Sequence, residues 1–182
     1  MVDYVILVDK KDQQIGIEEK MDAHKSGKLH RAFSVLLFNK AGELLLQRRA
    51  LDKYHSPGLW TNTCCSHPRP GENIQQAAKR RLIEELGIQC SFKKIFDFIY
   101  KTTFDYGLIE HELDHVLVGE FEGEIKPNPS EVMEIRWQSL GDLYEEIKSY
   151  PDRFTIWFQI MIEKIAQHEK PLFPAHAQLI DS

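Results

Sequence analysis

A single mixed α/β domain is what this sequence predicts, on three observations. Strand-like runs occur three times in the first fifty residues and return past residue 90, two of them joined by a tight turn. Between them lies a helix whose apolar residues recur every fourth position, and a second amphipathic helix follows a proline near the end. A chain of 182 residues can bury a substantial core as one compact unit but is short for two independent domains. The expected domain therefore spans 1–182, with terminal extensions.

The elements follow in order. Tyr4 to Asp9 is a short β-rich run, and Arg31–Asn39 (R-A-F-S-V-L-L-F-N) and Glu43–Arg49 flank the turn-like N-K-A-G as a hairpin. Asn73 to Leu86 is the first helix: Ile74, Ala78, Leu82 and Leu86 form an apolar stripe, and Gly87 supplies the stop. Phe92–Phe104, Glu110–Phe121 and Ile135–Gln138 read as strands, separated by a polar P-N-P-S loop. Ser139–Tyr150 and Pro151 to about Gln167 read as helices, with Pro151 suited to a helix start.

Composition narrows the function. With 42% hydrophobic and 28% charged residues the chain has ordinary globular character. A net charge of -5 gives no general attraction for nucleic acid or an anionic membrane, although a local basic cluster can still hold a small anion. The apolar run near the N-terminus has five residues, too few for a signal peptide or a membrane span, so a cytoplasmic location is expected. Three cysteines, two of them adjacent, make a poor disulfide framework and are read as thiols. No obligate protein partner is evident.

Two stretches carry chemistry. On the helix Asn73–Leu86, Arg81 and Glu85 stand four apart and share a face, with Arg80 and Glu84 on a neighbouring line. An isolated R-R-x-x-E-E is most simply a solvated face. Here G-E precedes the helix and E-E-L-G-I ends it, and carboxylates grouped on one turn suit a Mg²⁺ carried in by substrate phosphates. The second stretch is W-T-N-T-C-C-S-H-P, residues 60–68. Adjacent cysteines cannot reproduce the C-x-x-C spacing of zinc knuckles or thioredoxin-like sites. On an extended chain they face opposite sides, so only one can reach a pocket.

Glu72, Arg80, Glu84, Glu85, Gly87 and Ile88 resemble a degenerate Nudix box. Ser66 stands where the box opens on glycine, and Arg81 where its Arg-Glu pair has glutamate. Losing that carboxylate weighs against phosphate hydrolysis, and an arginine there can grip phosphate oxygens instead. The segments L-H-R-A-F-S, R-R-A-L-D-K, G-L-W-T-N-T-C-C-S-H-P and E-H-E resemble those of the type I isopentenyl-diphosphate isomerases, from Glu19 and Lys20 through Trp157. The resemblance implies a Nudix-like α/β/α sandwich with a mixed sheet, and an enzyme that moves a carbon-carbon double bond in isoprenoid biosynthesis.

It also implies a site. His24, His30, His67, Glu110 and Glu112 would hold a divalent ion, Mn²⁺, Zn²⁺ or Mg²⁺; Glu110 and Glu112, two apart on a strand, face one side. Cys65 and Glu112 would exchange the protons, with Tyr100 assisting and Trp157 offering its ring to a carbocation-like state. Lys20, Arg49, Lys53 and Arg81 would hold the diphosphate, with Glu85 binding a Mg²⁺ that arrives on it. Cys64, Cys90, His111 and His115 are read as structural. The alternatives are a Nudix pyrophosphohydrolase, or a noncatalytic module that binds metal and diphosphate.

Overall fold

The computed structural model describes residues 2–168 and 170–176. Of the expected span 1–182, residues 1, 169 and 177–182 lie outside the described residues. The chain runs β1 (Tyr4–Val8), β2 (Gln14–Glu19), α1 (Lys20–Ser26), β3 (His30–Phe38), β4 (Glu43–Arg49), β5 (Trp60–Thr61), β6 (Cys64–Ser66), α2 (Ile74–Leu86), β7 (Phe92–Thr103), β8 (Ile109–Glu120), β9 (Val132–Ser139), α3 (Leu140–Ser149) and α4 (Ile156–Ala166).

Strand β3 is the hub of one mixed sheet. It pairs antiparallel with β1, β4 and β6 and parallel with β8. Strand β8 continues into β7, and β4 into β5 and β9, all antiparallel. Alternate residues of a strand face opposite sides, and the core divides accordingly. Leu36, Phe38, Leu44, Leu46, Val116 and Val118 pack under α3 and α4 on one face. Phe33, Val35, Leu37, Leu45 and Leu117 pack under Ala77, Ala78, Leu82 and Leu86 of α2 on the other. The result is the expected three-layered α/β/α arrangement. His30, Ser34, Tyr100 and Glu112 share the parity of the α4 face, so the site is the polar end of a core layer.

Helix α2 begins and ends where its sequence directs. Asn73 and Gln76 form a reciprocal capping box, and Gly87 closes the helix in the left-handed region at φ 67°. Ala77 joins the buried stripe while Ile74 is only partly buried, because a 3.6-residue turn drifts away from a strict four-residue spacing.

The last helix differs from expectation. Pro151–Arg153 forms a 3-10 turn, Phe154 and Thr155 are extended, and α4 starts at Ile156. The backbone of this segment is engaged by β5: Phe154 bridges Trp60, and Thr155 N–H donates to the Trp60 carbonyl at 2.9 Å. Strand β9 is longer than the four residues expected, since it pairs with β4 from Glu43↔Ser139 to Arg49↔Val132.

Candidate active site

Each ligand-bearing side chain arrives from a different element. Helix α1 is seven residues long and stops at Gly27, whose φ of 66° favours glycine. It delivers His24, whose Nδ1 lies 2.6 Å from the Lys20 carbonyl. His30 opens β3 directly opposite Glu112 of β8, and its Nδ1 lies 2.9 Å from the Lys28 carbonyl. His67 follows β6, its Nε2 2.8 Å from Glu112 Oε1. His30 Nε2 stands 3.5 Å from the same oxygen.

The donor atoms of His24, His30, His67 and Glu112 lie within 4.8 Å of one another. Both His24 and His30 have Nδ1 facing a backbone carbonyl, which fixes the tautomer that carries a lone pair on Nε2. Those two Nε2 atoms are buried without hydrogen-bond partners. Convergent lone pairs with a carboxylate among them fit a divalent cation, and imidazole with carboxylate suits zinc, manganese or magnesium. Glu110 stands outside this group: its Oε2 accepts from Tyr100 at 2.9 Å, and its Oε1 lies 2.9 Å from His55 Nε2.

Burial sets the proton affinities here. It lowers His24, and it lowers His67 to about 3 against the pull of Glu112. Burial opposes charge on His30 too, but its contact with Glu112 outweighs this and raises it. Burial also opposes an ionised Glu112, and the imidazoles of His67 and His30 hold it well below the usual carboxylate range. Burial keeps His67 neutral, and the hydrogen-bonding contacts of His67 and His30 keep Glu112 ionised. Neutral imidazole and ionised carboxylate are the forms that bind metal.

Cys64 and Cys65 take opposite sides. Cys64 is buried in the α2 layer, and Cys65 packs toward the α4 layer and lines the site. Burial pushes the Cys65 thiol up to about 12, with Arg49 opposing, so at neutral pH it carries its proton. The cavity beside it, of about 70 Å³, is also lined by Glu110, Glu112, Tyr100, Trp157, Arg49 and Glu85. Tyr100 meets both carboxylates, Glu110 at 2.9 Å and Glu112 at 2.8 Å. Trp157 is 3% exposed, with the Arg49 guanidinium 5.3 Å from its ring centroid.

The mouth is a second cavity of about 170 Å³ lined by Lys20, Lys53, Arg69, Arg80, Arg81 and His67, among others. Arg81 bonds Glu84 at 2.8 Å, Glu85 at 2.5 Å and Glu131 at 3.1 Å, and Lys53 also pairs with Glu131. Glu85 further accepts from Gln47 at 2.7 Å. Burial lowers Lys20, and the neighbouring charges of Lys53 and Arg81 add to this. Arg80 takes Glu72 by two bonds, 2.7 and 2.8 Å, and so ties the loop before α2 to the helix.

Every residue expected at the site lines one of these cavities or belongs to the ligand group. Sequence reasoning passed over His55, Tyr54, Ser34 and Asp114. Tyr54 and His55 directly follow the basic run R-R-A-L-D-K, which was their only signal. Ser34 Oγ donates to Asp114 Oδ2 at 2.7 Å, and burial pushes that carboxyl well up. Asp114 stands two beyond Glu112, so the alternation that grouped Glu110 with Glu112 reaches it as well.

Fold and site together define a three-layered α/β domain with a residue group suited to a metal ion beside a cationic cavity. Residues 28–158 match the NUDIX domain family. An isopentenyl-diphosphate Delta-isomerase of Burkholderia multivorans is 50% identical over 164 residues, 90% of this chain and 93% of that one. Isopentenyl-diphosphate Delta-isomerase 2 of Aromatoleum aromaticum is 47% identical, covering 91% and 87%. Among solved structures, DR0079 from Deinococcus radiodurans superposes with a TM-score of 0.74 at 18% identity over 89% of this chain and 98% of that one. The MutT protein of Methanosarcina mazei gives 0.61 at 22% identity, over 75% and 91%. The chain belongs to the NUDIX family and, within it, to the isopentenyl-diphosphate Delta-isomerases.

Proposed function

We propose that this chain converts isopentenyl diphosphate to dimethylallyl diphosphate, with Cys65 and Glu112 handling the two protons. The observation that carries this reading is one buried cavity holding a protonated thiol, an ionised carboxylate and an indole, beside a cationic mouth. The reaction adds a proton at one end of an allylic unit and removes one from another carbon. An alkene is a weak base, so the transition state approaches a tertiary carbocation and needs a positioned acid and base.

Lys20, Arg49, Lys53 and Arg81 receive the diphosphate, placing the hydrocarbon between Cys65 and Glu112. Tyr100 has one hydroxyl proton and two carboxylate neighbours, so it can pass a proton along that side. Trp157 faces the developing cation, a contact worth about 2 kcal/mol or more when desolvated. His24, His30, His67 and Glu112 would hold a divalent ion, with Glu110, expected as a further ligand, standing beside them on Tyr100 and His55. Such an ion, Mn²⁺, Zn²⁺ or Mg²⁺, supplies a fixed positive charge that orients Glu112 and shifts its proton affinity. A Mg²⁺ arriving on the substrate would meet Glu85.

We assign residues 1–182 to one isomerase domain in isoprenoid biosynthesis and place it in the cytoplasm. No helix among the described residues is long and apolar enough to cross a membrane. Hydrolysis is disfavoured by Arg81, which occupies a carboxylate position of the box. The test is a proton NMR time course of isopentenyl diphosphate with metal-replete protein in D₂O. Deuterium-bearing dimethylallyl diphosphate without released phosphate supports the reading; cleaved diphosphate, or an unchanged substrate, refutes it.

A further inference from the structure

His55 has no role in the chemistry above, yet it is only 8% exposed and meets the site on two sides. Its Nε2 lies 2.9 Å from Glu110 Oε1, and Glu110 Oε2 accepts from the Tyr100 hydroxyl at 2.9 Å. That hydroxyl lies 2.8 Å from Glu112 Oε2. A continuous line therefore runs His55–Glu110–Tyr100–Glu112. The imidazole itself stacks on Phe104 at 5.1 Å and meets the Trp157 ring edge-on at 5.5 Å. Arg49, whose guanidinium lies over that indole, donates to the His55 backbone carbonyl at 3.1 Å.

We propose that His55 is a positioning residue for the double-bond shift: it fixes Glu110, and through Tyr100 it aims the phenolic proton at Glu112. A phenol has a single proton to give, and with Glu110 free to rotate, that proton is drawn away from Glu112. With His55 Nε2 against its Oε1, Glu110 is held in place and part of its charge is taken up, so it competes less for the phenolic proton and leaves it to Glu112 before substrate enters. The ring stacking does the same for Trp157, fixing the face that meets positive charge. This inference deepens the isomerase reading and rests on it.

A double-mutant cycle tests it, with isopentenyl diphosphate as the probe and metal-replete protein throughout. His55→Ala is expected to lower kcat about tenfold to a hundredfold with KM little changed, because the cations at the mouth are untouched. His55→Gln, whose amide nitrogen can reach the Nε2 position, is expected to recover most of the rate. In a Tyr100→Phe background the line is already cut, so His55→Ala should cost little more there. The inference fails if kcat is unchanged in His55→Ala, if glutamine behaves as alanine, or if the loss is the same in both backgrounds. Should the alanine variant unfold, His55→Leu keeps the apolar bulk without the nitrogens, and the same cycle decides. Wild-type protein that does not isomerise the probe refutes the enzyme reading instead, whereas an active wild type with an indifferent His55 refutes this inference alone.

Discussion

The inner end of the site and its mouth both gather charge, but they treat it differently. His30, Glu112 and His67 have side chains only 0%, 9% and 12% exposed, and burial leaves them with electron pairs directed at one point. Arg81 and Lys53, at 17% and 22%, instead share the Glu131 carboxylate, at 22%, and the three together keep a net positive charge. A buried pocket of three imidazoles around one carboxylate suits a cation and resists rearrangement. At the mouth, partial exposure screens each pair more than at the inner end, and an arriving diphosphate would offer Arg81 the same kind of contact that Glu84 or Glu131 gives it. Under the proposed roles, rigidity lies where proton transfer would need it, and exchangeable contacts where substrate would come and go.

The sharpest test of that division is at the inner end. Cys65→Ala and Glu112→Gln should each reduce kcat by about 10²–10⁴-fold while leaving diphosphate affinity nearly intact. Turnover retained in either variant would remove the proton roles. Metal removal comes next. Chelation should abolish activity and lower Tm, and divalent ion at about a hundred times Kd should restore roughly 2.7 kcal/mol of stability. His67→Ala should show no such recovery in a thermal melt.

At the mouth the expected effects are smaller. Arg81→Ala should raise KM about tenfold, the loss of roughly one charged contact, with kcat less affected; an unchanged KM in steady-state assays would argue against phosphate contact. The smallest effect concerns Glu72. Its bonds to Arg80 hold its carboxyl below its ordinary value of 4.5, so its stabilising contribution is full above that value and is lost as pH falls through the lower folded value. Glu72→Gln should cost about 1 kcal/mol at pH 7 and nearly nothing once the pH has fallen through the lowered folded value, as urea titrations would read. An equal cost at both pH values would mean that packing, not charge, holds the loop.

Much of this was legible because periodicity reports local geometry. The α2 stripe, its glycine stop, the paired carboxylates of β8 and the opposed cysteines each follow from a spacing of 3.6 or 2 residues. Helix α1, which delivers His24, was missed because K-M-D-A-H-K-S spans barely two turns and shows no apolar repeat. Strand β2 was missed because Q-I-G-I-E-E lies at an edge with its isoleucines exposed. The two-residue β5 is shorter than any periodicity can report. His55 was silent for another reason. Its partners Glu110, Phe104 and Trp157 lie between 49 and 102 positions away, and only the folded chain brings them near. The ligand set and the roles at the site came from the family resemblance, since single histidines carry no signal of their own.

The parallel ladder of β3 and β8 sets His30 opposite Glu112, and this register has a consequence for how the protein is born. A slip of one residue would turn Glu112 to the wrong side of the sheet, and strands more than seventy residues apart meet only after a long loop has closed. Competence for metal should then appear late on the folding pathway, after the local hairpin and α2 have formed. A newly made chain would be compact for a time before its three histidines and Glu112 stood together.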